Sequence, residues 1–320
     1  MRPLLSEERR RRWGARITEW DYRYVLPAIA AFPPAVAWRV AALRGAIRYR
    51  LRSDARRKAL ENIAVAFPEM PEAARAAAVR RSFQLLSRDE MESYWFDRPD
   101  SYLRRLIASD AELGVLREAV RNGRGVLALT GHLGCPGIFL CWSGRRGVKH
   151  RLLFRPLEDI PGQSGAWVEF GKRRIRSLER AAGQPYLAVS EVSFFRLRSI
   201  LREGGVIVAA VDVVPWLLTQ TLPARFLGRS CRFPRGLSRL YLDVRPEVVF
   251  WSCHGDPKGR YVFSVKSLTG ELEPVQDIGD VTQLVVAELD RRIRESPGDW
   301  LQWDAFHYFW DAGTPEASRG

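Results

Sequence analysis

Val126 to Leu129 form an apolar run that ends in Thr130-Gly131-His132, and a second apolar run, Ile138 to Trp142, follows closely. This is the pattern of a buried strand, a tight turn and the start of a helix. It sets a histidine at the carboxyl end of a strand, in the crevice where open α/β sheets place their ligands. An imidazole there could take a proton from a hydroxyl, whose oxygen would then attack an activated acyl carbon. It could equally satisfy backbone groups at a strand–helix turn. A histidine base calls for an orienting carboxylate, and the nearby position where one would be sought is Gly137.

Other residues could share that chemistry. Arg155, in Phe154-Arg155-Pro156, follows the next predicted strand and would emerge on the same sheet edge, where a guanidinium can grip a phosphate or a developing oxyanion. The plainer reading is a surface arginine. Asp212 ends the apolar strand GGVIVAAV, again on the carboxyl edge, and could orient His132 or bind an acceptor hydroxyl; Glu191 is a second carboxylate for the first role. The stretch 225–236, RFLGRSCRFPRG, reads as a basic loop before a helix. Arg235 and the amides around Gly236 could bind an anionic group there. Cys135 as a thiol nucleophile has nothing else in the sequence to support it.

The elements that must position these residues alternate from Gly125 onward. Strands are predicted at Val126–Leu129, Arg151–Phe154, Pro185–Val189, Val206–Val211, Val248–Cys253 and Tyr261–Val265. Helices lie between them, at Gly137–Trp142, Gly165–Ala182, Ser193–Glu203 and Pro234–Leu242, and a last one spans Val281–Glu295. Such alternation argues for an α/β fold with a mostly parallel central sheet flanked by helices. Residues 1–110 read as helical. Ala35–Leu51 is amphipathic, Ser53-Asp54 offers a cap for a helix to Val65, and Pro71 opens a long helix towards Trp95. The expected organisation is a helical platform or lid over 1–110, an α/β unit over 111–310 and a disordered tail over 311–320.

Composition narrows the partners. The 320 residues carry a net charge of +14 and are 46% hydrophobic with eleven Trp, so the chain folds and has an anionic partner: nucleic acid, anionic lipid or an acidic carrier protein. Four cysteines without CxxC or zinc spacing read as free thiols in a reducing compartment, and with only four His no metal centre is expected. No cleavable signal peptide is apparent. Tyr24 to Trp38 lacks charge, but Pro27, Pro33 and Pro34 interrupt it, and it falls short of the roughly twenty residues a spanning helix needs. Arginines at 39, 44, 48, 50 and 52 follow, which suits a segment lying in the lipid interface. A helix packed on the domain with solvated arginines is the alternative.

Taken in order, several segments resemble the lysophospholipid acyltransferase superfamily, and more closely the bacterial lipid A late acyltransferases of the lauroyl/myristoyl transferase family. They are RKALENIAVAFPE (57–69), GVLALTGHLG, LLFRP, GKRRIRSL, GGVIVAAVDVVP, RFLGRSCRFPRGLSRL and RRIRESPGDWLQW. The resemblance implies transfer of a fatty acyl chain from acyl carrier protein or coenzyme A to a hydroxyl of a lipid or glycolipid, at the cytoplasmic face of the bacterial inner membrane, with no cofactor. It implies His132 as base and Arg155 and Asp212 as supporting site residues. Two departures stand out. The family has Asp or Glu where this chain has Gly137, and its basic C-terminal close is replaced by DAFHYFWD. Phe139, Trp142 and Trp216 are candidates to line an acyl groove, with core packing as the plainer role. Three readings follow: an active acyltransferase in which Asp212 or another carboxylate replaces the missing acid; an inactive homologue that binds lipid or acyl carrier protein in a biosynthetic complex; and a nucleic-acid binder, which no recognisable module supports.

Overall fold

The computed structural model describes residues 14, 16–157, 164–215, 220–256 and 259–310. Among them the helices of the first third are α1 (Leu26–Ala30), which continues a π-helical stretch Asp21–Val25, α2 (Pro34–Leu51), α3 (Ser53–Ala66), α4 (Glu72–Glu92) and α5 (Asp100–Leu106). The alternating part then runs β1 (Ile107–Ser109), α6 (Leu113–Arg121), β2 (Val126–Thr130), α7 (Pro136–Arg145), β3 (Arg151–Phe154), α8 (Gly165–Ala182), β4 (Leu187–Ala188), α9 (Phe194–Arg202) and β5 (Val206–Ala210). A hairpin of β6 (Thr221–Phe226) and β7 (Arg229–Pro234) leads to α10 (Arg235–Val244), β8 (Glu247–Gly255), β9 (Tyr261–Ser267), α11 (Thr269–Leu272) and α12 (Ile278–Glu295).

The main sheet has seven strands in the order β1-β9-β8-β2-β5-β3-β4. Strands β8, β2, β5, β3 and β4 run parallel, and β9 is antiparallel to β8. β2 therefore lies in the middle, buried along its whole length. Its side chains alternate between two cores. Val126 and Ala128 face the cluster that holds Leu116 of α6, Ile138 of α7 and Leu178 of α8. Leu127 and Leu129 face the one that holds Leu201 of α9, Leu240 of α10 and Leu289 of α12. A strand covered on both faces reads as a continuous apolar run, which is why VLALT was legible. Phe139 and Trp142, offered above as groove-lining residues, belong to the first core. Phe139 stacks on Trp251 at 4.0 Å and the buried Trp142 donates its indole N–H to Asp110 at 2.8 Å. Trp216 and the tail 311–320 lie outside the described residues.

Several expectations are corrected. The basic loop of 225–236 is largely the β6–β7 hairpin, closed by Leu227 (φ 49°) and Gly228 (φ 83°). Two-residue hairpin turns of this hand need positive φ at both central residues, and a leucine gives no sign of that. The strand read at Pro185–Val189 shrinks to Leu187–Ala188, and the nominally helical 1–110 contains β1. Ser53 and Asp54 make no capping bond; the helix starts on Ser53 itself, after Arg52. The apolar stretch Tyr24–Trp38 is divided between the π-helical segment, α1 and α2 by the Ala31–Pro33 break, and no described helix is long and apolar enough to cross a membrane.

α4 is the element that ties the helical third to the sheet. Glu90 accepts hydrogen bonds from Arg44 (2.7 Å) and Arg48 (2.6 Å) of α2 and from the Tyr22 hydroxyl. Arg44 also forks onto Asp21 at 2.8 and 2.6 Å. Burial alone would raise the Glu90 pKa, but the two guanidinia outweigh it and bring it down to about 2. The residue before it, Asp89, points the other way, towards the turn after β2.

Candidate active site

β2 ends at Thr130, whose carbonyl accepts the Val211 N–H at 2.8 Å and whose hydroxyl donates to the Trp251 carbonyl at 2.8 Å. The parallel register Thr130↔Ala210 places residues two beyond each strand end side by side. Those residues are His132 and Asp212. His132 Nδ1 lies 2.8 Å from Asp212 Oδ1, and the His132 backbone N–H donates to Oδ2 at 2.8 Å. The Trp300 indole N–H donates to the same Oδ2, also at 2.8 Å. Asp212 is fully buried and its two oxygens accept three hydrogen bonds. An ionised carboxylate so held keeps Nδ1 protonated and leaves Nε2 as the acceptor. The imidazole itself is 41% exposed, and Nε2 has no partner among the described residues.

The electrostatics agree with that geometry. Burial would by itself lower the His132 pKa, but the charge and hydrogen bond of Asp212 outweigh it and raise the pKa above the ordinary histidine value, with Asp89 adding to the effect. Burial would raise the Asp212 pKa; His132 and Trp300 together hold it below the usual carboxylate value. Cys135 is buried and its thiol is pushed well up, so it is no nucleophile at neutral pH.

The C-terminal segment holds the turn in place. Leu301 N–H donates to the His132 carbonyl at 2.9 Å and Gly134 N–H to the Asp299 carbonyl at 2.8 Å. Gly134 has φ +65°, and a Cβ there would fall 1.8 Å from the Cys253 carbonyl oxygen, so only glycine fits. Trp300 is the functional residue that sequence reasoning missed. Its only signal was an aromatic in the quoted segment RRIRESPGDWLQW.

Gly137 turns out to face no vacancy. A Cβ there would lie 2.6 Å from Arg174 Nη2 and 2.6 Å from Phe96 Cζ. Arg174 cannot easily yield, because it is paired with Asp89 (2.7 Å) and bonded to Ser93 Oγ (3.0 Å). Asp89 Oδ1 in turn accepts the Gly137 N–H at 3.2 Å. We therefore expect Gly137→Glu to cost about 1–3 kcal/mol of stability through overpacking and to leave turnover no higher than wild type. A thermal melt and a rate measured side by side check this; a faster variant would mean that the site lacks a carboxylate after all.

The other anticipated residues are placed differently. Leu152 of β3 is level with Val208, and Val208 with Ala128, so Arg155 stands at the same edge as His132, with β5 between. Two strand spacings amount to roughly 10 Å. Glu191 is exposed in the turn after β4. Arg235 and Gly236 open α10 and line a cleft between α9 and α10 that His132 does not line. A second histidine–carboxylate pair lies one strand away from the first. His254 Nδ1 is 2.9 Å from Asp299 Oδ2, and Nε2 is 2.6 Å from Ser252 Oγ. Although this is the constellation of a hydrolytic triad, Ser252 is fully buried and its Oγ is engaged by Arg292, so no substrate reaches it. Among the described residues no group of three or more His, Cys, Asp or Glu could hold a metal ion.

Comparison with known proteins bears on these residues unequally. Residues 6–149 match the model of the family described as bacterial lipid A biosynthesis acyltransferase. The matched stretch takes in His132 and Gly137 and stops ahead of Asp212 and Trp300. No curated protein matches the chain.

Proposed function

We propose that this chain, whose residues 6–149 match the bacterial lipid A biosynthesis acyltransferase family, transfers a fatty acyl group from a thioester donor to a hydroxyl of a lipid or glycolipid, with His132 as general base. The observation that carries the reading is the His132–Asp212 pair at the end of β2, with Nε2 open to solvent. The acceptor hydroxyl gives its proton to Nε2 as its oxygen bonds to the thioester carbonyl carbon. When the carbon–sulfur bond breaks, the imidazolium returns that proton to the leaving thiolate. Asp212 stays ionised throughout and stabilises the imidazolium. The buried carboxylate thus supplies what the family pattern would draw from position 137. Arg155, on the same edge, is the group we assign to the oxyanion or to a phosphate of the substrate.

The donor we assign is an acyl carrier protein or coenzyme A thioester; the net charge of +14 suits the acidic carrier. The setting we assign is the cytoplasmic face of the inner membrane, where no described helix is long and apolar enough to span the bilayer. A groove of about 640 Å³ between the π-helical segment and α2 supports it. Its walls include Ile17, Trp20, Leu43, Ile47 and Leu51, and Trp20 and Leu51 are 66% and 72% exposed. An apolar face this large, flanked by arginines, fits the interface of an anionic bilayer.

The test supplies purified protein with labelled acyl carrier thioester or acyl-coenzyme A and lipid acceptors carried in anionic or neutral vesicles. Transfer is expected, faster on the anionic surface. Equal inertness of wild type and His132→Ala towards every donor and acceptor would instead favour a homologue that only binds.

A further inference from the structure

The cleft at the start of α10 is separate from the dyad and strongly basic. We propose that it binds a phosphate monoester. The cleft encloses about 450 Å³ between α9 and α10, from Phe194 and Arg235 at their starts to Asp243 near the end of α10, within the range of small-molecule sites. Three guanidinium groups converge on it: Arg198 from α9, and Arg235 and Arg239 from α10. One carboxylate, Asp243, stands among them, 3.0 Å from Arg239 Nε and 3.8 Å from Arg198 Nε. Arg235 spends one Nη1 hydrogen bond on Gln220 Oε1 at 3.2 Å. The Arg198 Nε atom is buried and has no hydrogen-bond partner, since 3.8 Å is too long for one. Three positive groups against one negative group leave a surplus of two, the charge of a phosphate monoester dianion. Planar forks are also the donors best suited to its oxygens.

Position gives the cleft a relation to the dyad. α9 precedes β5 and α10 precedes β8, and these are the two strands that flank β2. Both helices run back along the sheet, so both begin on the carboxyl edge where His132 stands. Phe194 lines the cleft and is partly exposed, and its chain neighbour Phe195 is 75% exposed, apolar surface that a lipid phosphate would meet and a free phosphate would not need. Binding of phosphate stands independently of the acyl-transfer reading; only the assignment of the bound group to that reaction's substrate rests on it.

The experiment titrates the full chain with inorganic phosphate and follows binding by phosphorus NMR or calorimetry. The Arg198→Gln/Arg239→Gln double variant should bind about tenfold or more weakly. Arg173→Gln/Arg176→Gln, which removes the same charge from the exposed side of α8, should bind as wild type. Equal weakening by both pairs, or no binding by wild type, overturns the proposal. Arg239 is mostly exposed, so Arg239→Gln alone supplies a folded variant that must still weaken binding. Vesicles containing phosphatidic acid and, separately, adenosine 3′,5′-bisphosphate then distinguish the source: the double variant loses affinity for the lipid if a headgroup is the ligand, and for the nucleotide if a diffusible donor is. None of these readouts depends on turnover, so the cleft can fail while acyl transfer holds, and the reverse.

Discussion

Asp212→Asn is expected to lower acyl transfer by about a hundred- to ten-thousand-fold, with the fold intact. The upper end is what the same change costs in hydrolytic triads, where the amide favours the wrong imidazole tautomer; a thioester, already activated, depends less on its base. With the amide oxygen in the place of Oδ2, the His132 backbone and Trp300 keep their acceptor, and the amide NH2 faces His132 Nδ1, which must then accept rather than donate. The pH dependence gives a second readout. The base must be neutral, and Asp212 raises the His132 pKa, so the acid limb of the wild-type rate lies above the ordinary histidine value of about 6.5. Removing the negative charge moves that limb down even as the plateau falls. His132→Ala should lose the limb altogether along with the rate. A wild-type limb below 6, or an Asp212→Asn enzyme within a few fold of wild type, would mean that the pair is only structural.

The largest effect on stability is expected at Glu90. Glu90→Gln leaves Arg44 and Arg48 packed in the interior with the charge between them gone; Arg44 keeps Asp21, whereas Arg48 is left without its carboxylate partner. Breaking a buried pair in this way costs about 3–5 kcal/mol, enough to consume much of an ordinary domain's margin. The sign of the pH effect follows from the depressed pKa. The stabilisation is complete above the unfolded carboxyl value near 4.5 and is lost as pH falls towards about 2. Wild type should therefore lose melting temperature steeply over that window. The variant, starting lower, should lose less; parallel acid profiles would show that Glu90 is not the group responsible.

What the sequence disclosed follows from how local each signal is. Strand β2, the turn and His132 are contiguous, and both cores leave a periodic trace in a few residues. Asp212 was nameable because it too ends an apolar strand, but its choice over Glu191 waited on the register of β2 with β5. Trp300 was not legible, since its bond to Asp212 spans 88 positions and an isolated tryptophan looks like any core aromatic. Nor was the occupancy of the space at Gly137, which Arg174 fills from α8 and Asp89 holds from α4. The hairpin of β6 and β7 was hidden by a leucine at positive φ, a cost that tertiary packing absorbs and local preference does not foresee.

The docking of Trp300, Leu301 and Asp299 onto the turn after β2 has a dynamic consequence. The imidazole, its carboxylate and the indole that steadies the carboxylate come from three stretches of chain that meet only when the last of them has settled. Loosening of that final stretch would free the Asp212 oxygen and the backbone of His132 while the seven-stranded sheet remained whole. Loss of turnover on gentle heating should thus precede loss of secondary structure, which makes the reaction a more sensitive thermometer of this protein than its circular dichroism.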